Sequence, residues 1–245
     1  MLQTDTFLLQ APNADQSRVL PPLERFQGSL AQRVYGALKD AILTLALRPG
    51  EMLRKPEICA GLGISRSPVA EAVARLAAEG LIDVVPQAGS FVARFSMEEI
   101  REGAFLREAL EVATVAHVAP AIGEDTLVLL RRNLRLQEVL VADGDIAGFY
   151  ELDAQMHAII LGASGFRRLA AMSETAWVHV NRARRLVLPR PGRVAETLAE
   201  HRAILAALEA RDGPRAAEAM RAHLARLVPN LEPLTQTHPG LFARP

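Results

Sequence analysis

The chain has 245 residues, half of them hydrophobic and 23% charged, with 28 basic residues against 28 acidic ones. At about 150 residues per domain this length suits two domains, and the composition excludes a disordered or fibrous chain. Zero net charge announces no nucleic-acid partner, and 8 Phe, 2 Tyr and 1 Trp offer no stacking platform for single strands.

No apolar run reaches the roughly 18–20 residues of a membrane span, and the N-terminus lacks the basic start and apolar block of a secretory signal. The single cysteine, Cys59, makes neither an internal disulfide nor a thiolate zinc cluster, which fits a reducing compartment. These features predict a cytoplasmic chain with no membrane partner. Basic and acidic residues number ten and nine up to Phe95, then eighteen and nineteen beyond it. Any contact with DNA must therefore come from where the arginines sit.

In chain order, residues 1–28 carry Pro12, Pro21 and Pro22 without a sustained period and read as a flexible arm. Leu30 to Leu47 repeats apolar residues at Val34, Leu38, Ile42 and Leu45, which predicts a helix ended by Arg48-Pro49-Gly50. A short helix over Pro56 to Gly61 and the turn Leu62-Gly63-Ile64 follow. Ser65 is placed to cap the next helix, Pro68 is tolerated in its first turn, and Val69, Val73, Leu76 and Ala77 form its apolar stripe up to Gly80. Leu81 to Val85 and Ser90 to Ala93, joined through Gln87-Ala88-Gly89, predict a hairpin. This order is that of a winged helix over residues 29–95.

From Ser96 the strand signal vanishes. Six helices are predicted near 97–118, 123–142, 146–162, 165–187, 193–210 and 212–227, with short breaks that suit an antiparallel bundle over residues 96–228. The stretch 229–245 contains Pro229, Pro233, Pro239 and Pro245 and is expected to fray. The expected fold class is mostly α, a winged helix-turn-helix with a small β-hairpin wing followed by an all-α bundle.

A helix-turn-helix reads DNA by laying its second helix in the major groove with the N-terminal side chains near base edges. Arg66 lies in the first turn of that helix, where its forked donors suit a guanine edge or a phosphate. Ser65 and Ser67 can also donate to phosphates, and Gly89 in the hairpin lets a wing approach the backbone closely. On its own Arg66 is as readily a surface charge. The whole pattern is more specific: Leu47-Arg-Pro-Gly-Glu-Met-Leu53, Leu62-Gly-Ile-Ser-Arg-Ser-Pro-Val69, Glu71-Ala-Val-Ala-Arg-Leu76, Glu79-Gly-Leu81 and Gly89-Ser-Phe-Val92. It resembles the winged helix of the GntR family of bacterial regulators over about residues 30 to 94. That family usually has an arginine directly after the Pro-Val pair, often a DNA contact, where this chain has Ala70. The resemblance implies lower affinity, a different operator, or compensation by Arg75, Arg54 and Lys55.

In the bundle, Asp153 and His157 are spaced i, i+4 and so project from one helix face, which they share with Phe149, Met156 and Ile160. His201 sits beside Leu198 and Leu205, and His223 beside Met220 and Leu227. Each occupies a stripe position where a leucine is expected. A carboxylate and imidazoles in an apolar bundle are costly unless paired or metal-bound. A core-facing histidine taken singly is an ordinary hydrogen-bonded residue; the four together can supply a divalent metal such as Zn, Ni, Mn or Fe. His117, His179 and His238 have no such setting and are read as structural or solvated. An open metal position would also suit a metal-dependent hydrolase, yet no further carboxylate or histidine has a clear claim to be its general base. A third reading makes the metal a purely structural clamp.

Asp153-Ala-Gln-Met-His157, Gly165-Phe-Arg-Arg-Leu169, Glu200-His-Arg-Ala-Ile204 and Met220-Arg-Ala-His-Leu224 resemble the FCD effector domain of the FadR-like branch of GntR regulators. Leu106-Arg-Glu-Ala-Leu-Glu111 fits the start of that domain, and the count of six helices looks like the VanR-type subgroup. The resemblance implies that Asp153, His157, His201 and His223 hold a divalent cation, and that a small organic acid completes its shell. Arg107 is the candidate to aid that acid, unless it is a surface helix charge, and Asn181 a second contact. The expected protein is not an enzyme but a homodimeric repressor on double-stranded operator DNA.

Overall fold

The computed structural model describes residues 15–169, 172 and 177–243, and these divide into two units, one within 98–233 and the other 15–97 with 234–243. The predicted arm falls partly outside these: residues 1–14 are not among those described. Within the described residues no helix is long and apolar enough to cross a membrane.

The first unit in chain order holds helices α1 (Leu30–Leu43), α2 (Lys55–Leu62) and α3 (Arg66–Ala78), then strands β1 (Ile82–Val85) and β2 (Gly89–Val92). The α1 helix starts on a capping box, with the Ser29 hydroxyl accepting from the Gln32 N–H while the Gln32 side chain accepts from the Ser29 N–H. Its stripe of Val34, Leu38 and Ile42 is fully buried against α3. The helix stops at Leu43, short of the predicted Leu47. Leu45 turns left-handed with φ 64°, and this directs both Leu45 and Leu47 into the core. Burial of two leucines, each about 1.5–3 kcal/mol, outweighs the strain of a non-glycine residue there.

β1 and β2 pair antiparallel with Ile82 opposite Val92 and Val85 opposite Gly89. Glu51 to Leu53 runs along the other side of β2 through Val92 N to Glu51 O and Leu53 N to Ser90 O, both 2.8 Å. The hairpin lies where the sequence predicts it, with the turn at Pro86-Gln87-Ala88 and Gln87 at φ 61°.

Two segments expected to be loose are ordered. Residues 15–28 form two short 3-10 turns, and the Gln16 side chain is buried, donating to Glu51 Oε1 (2.7 Å) and Met52 O (2.8 Å) and accepting from the Arg54 N–H (2.8 Å). At the other end a helix replaces the expected fraying, Leu227–Thr237, with Pro233 inside it. Its first half is tied by Arg190 to Asn230 (2.9 Å to both oxygens) and by Arg101 to Glu232 (3.0 Å). After it, Phe242 forms a parallel bridge with Phe95 in the winged unit.

The helical unit carries α4 (Met97–Val118), α5 (Glu124–Asp143), α6 (Ile146–Ala163), α7 (Val178–Val187), α8 (Arg193–Glu209) and α9 (Gly213–Leu224), and the chain closes with α10 (Leu227–Thr237). The predicted single helix 165–187 is interrupted, with residues 167–169 helical and α7 starting only after a turn at Trp177. Residues 170–171 and 173–176 of that stretch lie outside those described. The other five predicted helices of the bundle are present, at Met97–Val118, Glu124–Asp143, Ile146–Ala163, Arg193–Glu209 and Gly213–Leu224. α5 packs on α6 and α8, and α8 on α9. Their core contains Leu130, Phe149, Met156, Ile160, Leu198, Ile204, Leu208 and Met220. The packing brings the polar positions of α6, α8 and α9 together.

Candidate metal centre and nucleic-acid interface

Asp153 and His157 project from α6, His201 from α8 and His223 from α9, and one ligand atom from each lies within 4.8 Å of all the others. All four side chains are buried, Asp153 and His201 completely. The three histidines are oriented alike. His201 Nδ1 meets Gln137 Oε1 at 2.7 Å, His223 Nδ1 meets Glu200 Oε2 at 2.7 Å, and His157 Nδ1 meets Glu111 Oε2.

Each partner accepts, so each Nδ1 carries the proton and each Nε2 keeps its lone pair. For Gln137 the orientation is fixed one step further out. Its Nε2 donates to Asn133 Oδ1 (2.7 Å), and the Asn133 amide donates to Leu152 O and Gln155 Oε1, both 2.9 Å. The amide oxygen of Gln137 is thereby left facing His201.

Four acceptors with no donor between them converge on one point. His157 Nε2 lies 3.2 Å from His223 Nε2, and His201 Nε2 lies 3.4 Å from Asp153 Oδ1. His201 Nε2 and Asp153 Oδ1 are buried with no hydrogen-bond partner. Leaving a buried polar atom unpaired costs about 1–3 kcal/mol, and facing lone pairs add repulsion. Protonation does not relieve this at neutral pH. Burial, then repulsion from the neighbouring imidazoles and Arg184, holds His201 well below its ordinary range. Burial lowers His223 to about 4 against the pull of Glu200, and burial also lowers His157 despite Glu111. A cation among three imidazoles and a carboxylate resolves the arrangement, and the donor set fits a divalent transition ion.

Arg107 and Asn181 border the same place. Arg107 is buried and donates from Nε to Glu111 Oε1 at 2.6 Å, so it is no surface charge. Together with Asn181, Trp177 and Arg184 it lines a cavity of about 140 Å³ beside His157. Sequence reasoning missed Arg184, whose Nη2 donates to Asp153 Oδ2, and it missed the three Nδ1 partners Glu111, Gln137 and Glu200. Glu111 and Gln137 are buried polar residues at core positions, the same signal that exposed the histidines. His117 stacks on Phe166 and His179 approaches Glu99 at 3.7 Å, and His238 is likewise outside the cluster.

In the winged unit, α3 begins at Arg66 after Ser65, which has the extended backbone of an N-cap but makes no side-chain cap bond. Ser65, Arg66 and Ser67 are exposed, and Arg66 has no ion pair among the described residues. The first-turn N–H groups and these side chains therefore face outward together, the arrangement that receives a phosphate or base edge. Arg54 is exposed and Lys55 half-buried at the start of α2. Gly89 is exposed and has φ 132°, a conformation that glycine alone adopts readily, and it opens β2 rather than the turn itself. Arg75 is committed within the unit. Its guanidinium lies 3.8 Å from the centre of the Tyr35 ring and 3.5 Å from Glu79. Glu79 in turn accepts from Tyr35 Oη (2.6 Å) and Lys39 Nζ (2.7 Å), which fastens α1 to the end of α3.

Residues 30–92 match the bacterial regulatory proteins of the gntR family, and residues 102–226 match the FCD domain. The chain is 36% identical over 210 residues to an HTH-type transcriptional regulator in an unstable DNA locus of Streptomyces ambofaciens, covering 86% of this chain and 88% of that protein. It is 30% identical over 212 residues to the transcriptional repressor RspR of Escherichia coli K12, covering 86% and 93%. Among solved structures it is similar to a putative GntR regulator from Rhodococcus sp. RHA1, with TM-score 0.73, 26% identity and coverage of 84% and 99%. McbR/YncC of E. coli shares the fold, with TM-score 0.71, 24% identity and coverage of 86% and 100%. The relatives are transcriptional regulators and not enzymes.

Proposed function

On the premise that this chain belongs to the GntR family and is a transcriptional regulator with an FCD domain, we propose that it is a cytoplasmic homodimeric repressor governed by a divalent metal and a small carboxylic acid. The observation that carries the metal is the convergence of three imidazole lone pairs and Asp153 Oδ1 among buried side chains, with two of those atoms orphaned. Asp153, His157, His201 and His223 are its ligands. The bound cation supplies a Lewis-acid position that attracts an anionic oxygen. Arg107 and Asn181 border the adjoining cavity and orient the acid. Repression agrees with RspR, a repressor by its name.

Operator DNA is held by α3, with Arg66 at a base edge or phosphate, Ser65 and Ser67 on the backbone, Arg54 and Lys55 beside it, and the wing near Gly89. Arg75 acts by holding α1 to α3 through Tyr35 and Glu79. A two-fold dimer presents two such helices about 34 Å apart, so the operator is near-palindromic. The acid changes operator affinity only as far as it binds the DNA-competent and incompetent dimers differently.

Metal analysis with thermal melts across a panel of carboxylic acids tests this reading. About one metal per chain and an acid that raises the melting temperature only when metal is present are expected. Metal loss that melts the unit while no acid shifts it would leave a structural clamp. Sub-stoichiometric metal would remove the metal altogether.

Ala70 offers a separate test on the DNA side. It is exposed on α3, four residues past Arg66 and so on the same face. Ala70→Arg is expected to tighten operator binding and steepen its dependence on salt by about one unit of log–log slope, one added phosphate contact. Titration at several salt concentrations reads both, and an unchanged slope would place this face of α3 away from the phosphates.

A further inference from the structure

We propose that the acid bound in the helical unit is a dianion, a short dicarboxylate that answers two buried guanidinium groups, Arg107 and Arg184. This rests on the proposed metal and acid site and narrows its ligand.

Arg107 comes from α4 and Arg184 from α7, and both are buried. Arg107 spends Nε on Glu111, and Arg184 spends one Nη2 on Asp153. The remaining donors, both Nη groups of Arg107 and the Nε and Nη1 of Arg184, meet no acceptor among the described residues. Both arginines line the cavity of about 140 Å³ beside His157 and a smaller one of about 40 Å³ beside Asp153 and His223. The two cations therefore face the same space.

The charges decide what else is needed. Glu111 and Asp153 balance Arg107 and Arg184, and Glu200 is matched by Arg193 at 2.7 and 2.9 Å. An imidazole that holds a cation through Nε2 while Nδ1–H is donated to a partner is neutral, so the three histidines add no charge. A divalent cation on the four ligands adds two positive charges, and among the described residues no carboxylate in the cluster remains to offset them. A buried net charge is costly even after relaxation. A monoacid offsets half of it, and a diacid offsets all of it while using the idle donors of both arginines. The larger cavity equals roughly five waters at about 30 Å³ each, and Ala154, Ala158, Leu161 and Trp177 wall it with apolar surface. That suits a short carbon chain between the two carboxylates.

The test compares acids of equal carbon number on the zinc-loaded protein: malonate, succinate and glutarate against propionate, butyrate and valerate. Calorimetry is expected to show one diacid binding about tenfold or more tighter than its matched monoacid. In Arg107→Gln, which removes one of the two cations, that ratio is expected to fall towards one. Should the variant fail to fold, the wild-type ratio decides alone. A monoacid that binds as tightly as its diacid, still only with zinc, would overturn the dianion and leave the acid sensor standing. Binding of none of these acids with zinc present would overturn both.

Discussion

His201→Ala is expected to abolish stoichiometric metal binding while the protein remains folded. His201 supplies one of four converging ligand atoms from a fully buried position on α8, and no other described side chain in that cluster could take its place. With free metal about a thousandfold above its Kd, binding stabilises the native state by about 4 kcal/mol, which moves the melting temperature by about 10 °C or more in a unit of this size. That increment should vanish in the variant. The metal-free melts should differ less, because removing one of the facing lone pairs relieves repulsion and offsets part of the cavity left behind.

A second substitution separates a ligand from its support. Gln137→Met leaves all four ligand atoms in place but removes the acceptor that holds His201 Nδ1. Loss of such outer partners costs about 10–100-fold in metal affinity, so this variant should still bind one metal, only more weakly. Full metal content and unchanged affinity in both variants would sink the assignment of the site to this cluster.

The cluster was legible because Asp153, His157, His201 and His223 break an apolar period, and the period depends only on local spacing. Each lies on a helix whose stripe is otherwise core, such as Phe149, Leu198 and Met220. The partners that orient the imidazoles were not legible in the same way. Glu111 lies 46 residues from His157, and Gln137 lies 64 from His201. Only the packing of α4 and α5 selects them from the many other polar residues on those helices. Arg184 was hidden in an arginine-rich run, Arg182-Ala-Arg-Arg185, where spacing does not show which side chain turns inward. On the DNA side the order helix, helix-turn-helix, hairpin followed from turn residues and periods, and those are local too. What failed there was the ends. The prolines of both termini argue against regular structure, but Gln16 is buried on Glu51 and Met52 and Phe242 on Phe95, partners that lie far away in sequence. Tertiary burial outweighed the local signal.

That burial gives the last prediction. Residues beyond 226 fall outside the FCD match, yet 239–243 close on the winged unit. Phe95 N donates to Leu241 O and Ala243 N donates to Phe95 O, both 2.9 Å, and Arg94 Nε donates to Gly240 O at 3.0 Å. The rings of Phe95 and Phe242 lie 5.8 Å apart at 44°, and both are buried. Phe242→Ala removes the apolar half of this closure and is expected to destabilise the winged unit by about 3–5 kcal/mol, the usual cost of deleting a buried phenyl group. Domains are stable by only about 5–15 kcal/mol, so the melting transition of this unit should fall by about 10 °C or more. Operator binding near physiological temperature should weaken with it. Metal binding depends on residues of the other unit and should be unchanged at lower temperature. Calorimetry of the metal-loaded variant reads both effects in one scan, and a winged-unit transition that stays in place would show that the bridge to Phe95 carries no stability.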